Sequence, residues 1–150
     1  MKTLAFNSEE ISFRTGKASS RPAVITPIHS ADDERAYFSI IVTFICAESG
    51  DSREDVEVTA TELVTYARQV GRRLLLVPFV HLSSEPAQPE RALELIREVA
   101  KLLQQTDRLA GCLGFGYHKA LILRWATLEH EGSVIFRDSR YFRRRETKHA

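Results

Sequence analysis

Two short segments contain side chains whose types and spacing could do chemistry at neutral pH. The first, PFVHLSSE at residues 78–85, offers the imidazole of His81, the hydroxyls of Ser83 and Ser84 and the carboxylate of Glu85. It follows an apolar run of strand length, and ligands of α/β sheets bind beyond the carboxyl ends of strands. Loops that enter helices also use serine and glutamate to satisfy backbone donors, which explains Ser83 or Ser84 taken singly. His81 is the stronger candidate, although a lone histidine is often only a hydrogen-bonded polar residue.

The second segment, GFGYHKA at residues 114–120, combines glycines, aromatic rings and a lysine. Glycine permits a close backbone approach or a positive φ. The flat faces of Phe115 and Tyr117 suit a nucleobase or a small pocket. Lys119 begins a largely apolar strand, so its ammonium must reach water, a carboxylate or a ligand. A lysine at the sheet edge whose ammonium extends to solvent explains the same pattern, and the residues alone do not choose.

The sequence lacks the motifs of several other chemistries. It has no GxxxxGK[ST] phosphate loop, no GxGxxG after a strand, no CxxC and no HExxH. The five histidines do not have the spacing of metal ligands. No GxSxG elbow supports a serine nucleophile. We therefore expect neither a metal nor a cofactor.

Size and composition indicate one globular domain in a reducing compartment. The chain has 150 residues and a net charge of +1, so its bulk charge identifies no partner. The C-terminal sequence RDSRYFRRRETKHA is basic, as expected either of a solvated tail or of one that follows a phosphate backbone. Cys46 and Cys112 lie in apolar segments, which favours buried free thiols and the cytoplasm. Neither a signal peptide nor a transmembrane stretch is recognisable.

The apolar pattern predicts the elements that must position the two segments. In chain order, these are strands at 2–6 and 10–13 with a turn at Asn7-Ser8, a loop over 15–35 with a short strand at 23–26, a strand at 37–47, a helix at 53–70, a strand at 73–80, a helix beginning at Pro89, a glycine-rich turn at 110–116, and strands at 118–127 and 133–139. Pro78 indicates either an edge strand or the end of pairing. Two crossover helices predict an α/β fold with both helices on one face of the sheet.

PFVHLSSE followed by GFGYHKA resembles the archaeal-type editing domain of threonyl-tRNA synthetase. That domain is related in fold to the D-aminoacyl-tRNA deacylases. The resemblance covers nearly the whole chain and is strongest over residues 74–121. It implies a single D-aminoacyl-tRNA deacylase-like domain at residues 1–140, followed by the basic tail at 141–150. It also implies a homodimer.

The activity that the resemblance implies is metal-free hydrolysis of the ester in L-seryl-tRNA(Thr), with L-threonyl-tRNA spared. A synthetase site discriminates poorly against a smaller analogue, since one missing methyl is worth only ~1–3 kcal/mol. A second site can exclude the larger, correct amino acid sterically. The implied partners are the 3′-terminal aminoacyl-adenosine of tRNA and a threonyl-tRNA synthetase. The sequence has no room for an aminoacylation domain, so we expect editing in trans or as an excised domain.

The resemblance also implies roles for individual residues. Lys119 would position water or stabilise developing negative charge, and His81 would orient the terminal ribose or the water, with the ribose 2′-hydroxyl assisting. The positions that match the family's pocket are Ala47, Pro78, Phe79, Val80, His81, Phe115, Tyr117, His118 and Lys119.

The chain departs from the family's pattern at four positions. His118 stands where tyrosine is frequent, and Val80 stands where alanine is common. Ala47 occupies a position that is commonly larger, so the volumes of Ala47 and Val80 could compensate in one pocket. Arg137 aligns with the family's glutamate on the last strand, and Asp138 then lies on the opposite strand face.

Two other functions stay open at this point. A D-aminoacyl-tRNA deacylase would share the fold and the ester hydrolysis but would read chirality. A tRNA-binding or synthetase-associated module without catalysis would explain the missing glutamate.

Overall fold

The computed structural model describes residues 1–19, 34–125 and 134–141. The strands are β1 (Lys2–Ala18), β2 (Glu34–Cys46), β3 (Arg73–Pro78), β4 (Leu109–Cys112), β5 (Tyr117–Trp125) and β6 (Val134–Asp138). The helices are α1 (Arg53–Val70) and α2 (Pro89–Gln105), with a 3-10 turn at Val80–Leu82. The predicted short strand at 23–26 lies outside the described residues.

The strands form one mixed sheet in the order β4-β3-β2-β1-β5, and β6 also pairs with β1. β2, β3 and β4 run parallel, whereas β1 is antiparallel to β2, β5 and β6. β6 pairs with the first residues of β1, from Lys2 to Phe6, and β5 pairs with its later part, from Ser8 to Ala18. Along one side of β1, β6 and then β5 therefore pair one after the other.

Both helices pack against the same face of the sheet, as the crossover pattern predicts. α1 begins where the Asp55 carboxylate accepts a hydrogen bond from the Ser52 nitrogen at 2.9 Å, and it ends at Gly71 with a φ of 74°. α2 begins at Pro89, as predicted. The apolar stripes of both helices share one core with strand residues that include Ile41, Ile45, Leu74 and Leu76. Among the described residues, no helix is both long and apolar enough to cross a membrane.

A second core lies on the opposite face because the sheet curls over itself. Its buried members are Ile11, Phe13, Ile40, Val42, Leu75, Val77 and Leu113. The stacked rings of Phe13 and Tyr37, 6.2 Å apart, belong to the far halves of β1 and β2. A Cβ on Gly111 would lie 2.9 Å from the Tyr37 hydroxyl oxygen, so glycine permits this approach of β2 to β4. The curl brings the start of β2 against the end of β4.

The predicted turn at Asn7-Ser8 and the first half of the predicted turn at 110–116 are wrong because long-range pairing overrides local turn propensity. β1 runs unbroken through Asn7 and Ser8, which are buried and pair with Ile41 and Ile40. Only a register shift after Ser8 marks the irregularity. Of the predicted turn at 110–116, residues 110–112 belong instead to β4, which pairs in parallel with β3, and the turn itself lies at residues 115–116. The predicted loop at 15–35 likewise begins too early, since β1 continues to Ala18.

Two further predictions concern single residues. Pro78 marks the end of pairing, which is one of the two predicted alternatives, because β3 lies in the interior of the sheet between β2 and β4. Cys46 is a buried free thiol as expected, whereas Cys112 is free but exposed. The expectation of two buried thiols is therefore wrong for Cys112, which lies at the end of a short edge strand.

Candidate active site

His81 stands at the surface beyond the carboxyl ends of β2 and β3. The Phe79 nitrogen still donates to the Ile45 carbonyl of β2 at 2.9 Å, and the chain then turns through the 3-10 helix. The His81 ring lies against the Phe79 ring with centroids 5.3 Å apart, and Phe79 lies 5.2 Å from Phe44. Phe79 and Val80 are 39% and 51% exposed. An aromatic row thus ends in an accessible imidazole.

Ala47 lies directly beside this segment. Its carbonyl accepts the Ala87 amide at 2.9 Å, and the Cys46 thiol lies 3.5 Å from both the Ala47 and the Val80 carbonyl oxygens. The structure therefore brings Ala47, which directly follows β2, and the first segment together at the carboxyl ends of β2 and β3. The side chain of Ala47 is buried in the core beneath the helices, so its predicted contact with substrate stays a prediction.

The thiol at this edge is not a nucleophile at neutral pH. Burial, followed by the charges of Glu48 and Asp51, raises the pKa of Cys46 to about 11. Only a thiolate attacks efficiently, so Cys46 acts here as a small packing residue.

Lys119 lies near the start of β5, in a partly buried position. Its ammonium donates to the Tyr117 carbonyl at 3.1 Å, and its backbone pairs with Thr15 of β1. Burial lowers the pKa of Lys119, and the nearby Cys112 partly opposes that shift. Among the described residues, no carboxylate forms an ion pair with Lys119. Among the described residues, the partly buried ammonium is therefore not neutralised by a carboxylate.

The curl of the sheet relates the two segments in space. Cys112, the electrostatic neighbour of Lys119, pairs with Leu76, and the Leu113 nitrogen donates to the Leu76 carbonyl at 2.9 Å. Leu76 is only two residues before Pro78 on β3. Lys119 thus lies near the end of β4, which pairs with β3, although none of the contacts described for these residues joins Lys119 and His81 directly.

The other members of the second segment point in different directions. Phe115 packs against the core beneath the helices, whereas His118 is exposed and Tyr117 is partly buried. Gly116 has a φ of 84°, and its carbonyl accepts the Ser19 amide at 2.7 Å, which ties this turn to the end of β1. A single pocket that contains all of these residues stays a prediction.

Glu48 is a buried carboxylate beside the first segment, and the sequence reasoning missed it. It is 2% exposed, and its Oε1 receives hydrogen bonds from Ser83 at 2.5 Å and from Arg140 at 2.6 Å. The Lys2 ammonium lies 3.1 Å from the same oxygen. Burial alone would raise the pKa of Glu48, but Ser83 and the surrounding cations hold it below its ordinary value. The signal that could have revealed it is an acidic residue two positions after the buried strand β2.

A polar network extends from Glu48 to the first turn of α1. The Met1 amine donates to Asp51 and to Ser139, each at 2.6 Å. The Ser139 hydroxyl in turn donates to Asp55 at 2.7 Å. This network joins β1, β2, α1 and the end of β6 at the edge of the sheet that carries His81.

Arg137 and Asp138 lie on opposite faces of β6, as their alternation predicts. Arg137 pairs with Thr3 in the ladder and lies 3.5 Å from Glu62 of α1. Asp138 accepts the Arg140 amide at 3.0 Å. The residue aligned with the family's glutamate is therefore engaged with a helix. No group of three or more His, Cys, Asp and Glu residues suited to a metal ion occurs within the described ranges.

Comparison with known proteins identifies the family. The family model described as the archaea-specific editing domain of threonyl-tRNA synthetase matches residues 1–127. The threonine–tRNA ligase of Pyrococcus furiosus is 33% identical over 125 residues, covering 80% of this chain and 20% of that enzyme. The Staphylothermus marinus enzyme is 29% identical over 126 residues, covering 82% of this chain and 20% of its own length. The chain thus spans about a fifth of the length of these curated relatives.

A solved structure shows the same fold. The c-Myc DNA Unwinding Element Binding Protein matches with a TM-score of 0.68 and 11% identity, over 92% of this chain and 98% of that one. This likeness concerns the fold alone and confirms the predicted single-domain, D-aminoacyl-tRNA deacylase-like architecture. Because the family model covers residues 1–127, the chain belongs to the archaea-specific editing domain family of threonyl-tRNA synthetase, a family of aminoacyl-tRNA editing domains.

Proposed function

We propose that this domain hydrolyses L-seryl-tRNA(Thr) and spares L-threonyl-tRNA, with Lys119 and His81 as its catalytic residues. The observation that carries the proposal is the partly buried Lys119 ammonium, which forms no ion pair with a carboxylate among the described residues. Such a cation can stabilise negative charge that develops only in the transition state. Membership of the editing family supports the reaction class.

The reaction is a hydrolytic acyl transfer. Water adds to the ester carbonyl carbon, and negative charge develops on the carbonyl oxygen near Lys119. The bond between that carbon and the ribose 3′-oxygen then breaks, the ribose oxygen takes up a proton, and serine and tRNA are released. His81 orients the terminal ribose or the water, with the 2′-hydroxyl of the same ribose assisting.

Selection against threonine is attributed to the volume of the pocket. We assign Ala47, Pro78, Phe79 and Val80 to one wall, because their backbones meet at the carboxyl ends of β2 and β3. Phe115, Tyr117 and His118 are assigned to the side nearest Lys119. A wall that clashes with one methyl group discriminates more strongly than a site that merely loses contact with it.

Deacylation of a panel of aminoacyl-tRNAs tests this function. We expect seryl-tRNA(Thr) to be hydrolysed ~100-fold faster than threonyl-tRNA(Thr), because steric exclusion acts on the larger amino acid. The panel also contains D-seryl-tRNA(Thr) and is measured with the purified chain. The variants Lys119→Ala and His81→Ala serve as controls and should lose activity. Preference for the D-aminoacyl ester would identify a chirality-reading deacylase instead. Binding of tRNA without turnover would identify a non-catalytic module.

The basic tail and a synthetase partner belong to the same proposal. Residues 141–150 supply part of the affinity for tRNA through contacts with the phosphate backbone. Their sequence contains RRR and a lysine, and most of the segment lies outside the described residues. The domain works in the cytoplasm on the product of a threonyl-tRNA synthetase, either in trans or as part of a longer chain.

An exposed apolar surface on the face opposite the helices supports a homodimer. Val134 and Phe136 of β6 are 40% and 52% exposed, and they pair with Phe6 and Leu4. Paired residues share a face, and the Phe6 ring lies 5.8 Å from Phe44. The apolar surface is thus continuous with the aromatic row that ends at His81. A second copy of the chain would cover it beside the site.

Phe136→Glu is expected to shift the protein from dimer to monomer in sedimentation velocity. A buried carboxylate without a partner opposes association strongly. Thr65→Glu, on the exposed side of α1, is the matched control and should remain dimeric. A wild-type chain that sediments as a monomer at the concentrations used for catalysis would refute the dimer.

A further inference from the structure

We propose that Ser83, held by Glu48, is a positioning residue that fixes the loop carrying His81. This inference rests on the proposed function, since it assigns His81 a task that requires a defined orientation. In the sequence, Ser83 reads as an ordinary loop serine. In the structure, it is the side chain that attaches this loop to a buried carboxylate.

The Ser83 hydroxyl makes two hydrogen bonds that fix its own place. It donates to Glu48 Oε1 at 2.5 Å and accepts the Glu85 amide at 3.1 Å. Backbone contacts continue the attachment, because the Ser49 nitrogen donates to the Glu85 carbonyl at 3.1 Å and Glu48 bridges to Pro86. The segment after His81 is therefore bound to the segment after β2.

Few other contacts hold the imidazole in place. His81 is exposed, and the contact described for its ring is that with Phe79, which is itself 39% exposed. The 3-10 turn is short, and its last hydrogen bond, from the Ser83 nitrogen to the Val80 carbonyl, measures 3.5 Å. The turn's own hydrogen bonding is therefore weak, so the position of His81 depends on how the flanking residue Ser83 is anchored.

Glu48 is a rigid acceptor because cations surround it. Lys2 and Arg140 approach Oε1, and the Met1 amine lies 3.6 Å from Oε2. Within the described residues, Oε2 has no hydrogen-bond partner. Because Glu48 is 2% exposed and is bound by groups from several parts of the chain, its carboxylate keeps its position if the loop moves. The loop must instead adjust to the carboxylate.

The test compares Ser83→Thr with Ser83→Val. The two side chains have the same shape, and the extended backbone at Ser83 (φ −135°, ψ 148°) accepts a β-branched residue. Only the threonine keeps the hydroxyl. We expect Ser83→Val to reduce kcat for seryl-tRNA(Thr) by ~10- to 100-fold with little change in KM, because a misplaced catalytic group costs rate. Ser83→Thr should retain most of the wild-type kcat.

A matched control removes a hydroxyl from the same polar network but away from the loop. Ser139→Ala deletes contacts with the Met1 amine and Asp55, and should lower the melting temperature while leaving kcat unchanged. The His81 imidazole signals in a ¹H–¹³C NMR spectrum give a readout independent of turnover. They should move in Ser83→Val and stay in place in Ser83→Thr and Ser139→Ala.

Equal kcat values for Ser83→Thr and Ser83→Val, or unchanged His81 signals in Ser83→Val, would overturn the positioning role. A wild-type chain that hydrolyses no aminoacyl-tRNA would refute the proposed function alone. The NMR comparison would then still decide whether Ser83 fixes the imidazole. The two failures are therefore distinguishable.

Discussion

Lys119→Ala is expected to reduce kcat/KM for deacylation of seryl-tRNA(Thr) by at least ~100-fold, in line with the removal of one preorganised donor from an oxyanion site. The Lys119 ammonium is partly buried and donates only to the Tyr117 carbonyl among the hydrogen bonds described for it. In the proposed mechanism, its remaining donors bind the carbonyl oxygen of the substrate. Steady-state deacylation of seryl-tRNA(Thr) by the purified chain measures the loss.

The pH dependence of the deacylation rate gives a second test of Lys119. Because burial lowers the pKa of Lys119, its cationic form disappears at a lower pH than that of an ordinary lysine. A reaction that uses the cation should thus lose rate as pH rises through this lowered pKa, and Lys119→Arg should move the loss to higher pH. Lys101→Ala, at an exposed position of α2, is the control and should change neither rate nor profile. Full activity in Lys119→Ala would remove the lysine from the mechanism.

The elements that local pattern dictates were predictable from the sequence. α1 and α2 have apolar residues at helical spacing, a capping residue pair or a proline at the start, and for α1 a glycine at the end. Their common face follows from chain order, because both helices connect neighbouring parallel strands. The edge that carries His81 follows in turn, since parallel strands place their carboxyl ends together.

The curl of the sheet could not be predicted, because it depends on contacts between distant residues. Asn7 and Ser8 have turn propensity, yet pairing with β2, and for Ser8 also with β5, holds them within β1. The contact of Tyr37 with Gly111 joins residues that no periodicity relates. The proximity of Lys119 to Cys112 at the end of β4 is a consequence of this curl, and only the resemblance to a family connected the two segments beforehand.

Glu48 was missed for a different physical reason. A carboxylate after a strand is usually solvated, and its burial depends on cations from elsewhere in the chain. Those partners lie at Lys2 and Arg140, at the two ends of the described chain. The spacing of these residues in the sequence does not indicate that they meet. The buried strand before Glu48 indicates only that a polar group there lies at the end of the sheet.

Glu48→Ala is expected to lower the free energy of unfolding by about 3 kcal/mol, since removing one member of a buried ion pair leaves its partners uncompensated. Glu48 is 2% exposed, and the Met1 amine beside it is fully buried. The amine retains Asp51 at 2.6 Å, and the side chain of Lys2 is 21% exposed, so water and Asp51 limit the loss. Urea denaturation of wild type and variant at pH 7 measures the difference.

Arg140→Ala removes the exposed partner of Glu48 and should destabilise the fold less than Glu48→Ala does. The Arg140 side chain is 38% exposed, so its removal should cost only ~1 kcal/mol of unfolding free energy.

Stability measured at acid pH tests whether the contribution of Glu48 is electrostatic. The pKa of Glu48 in the folded chain lies below its ordinary value of 4.5, so its stabilisation is complete above that pH and is lost as pH falls through the lowered pKa. The gap between wild type and Glu48→Ala should consequently narrow below pH ~4.5. A gap that stays constant into acid would mean that packing, rather than charge, makes Glu48 important.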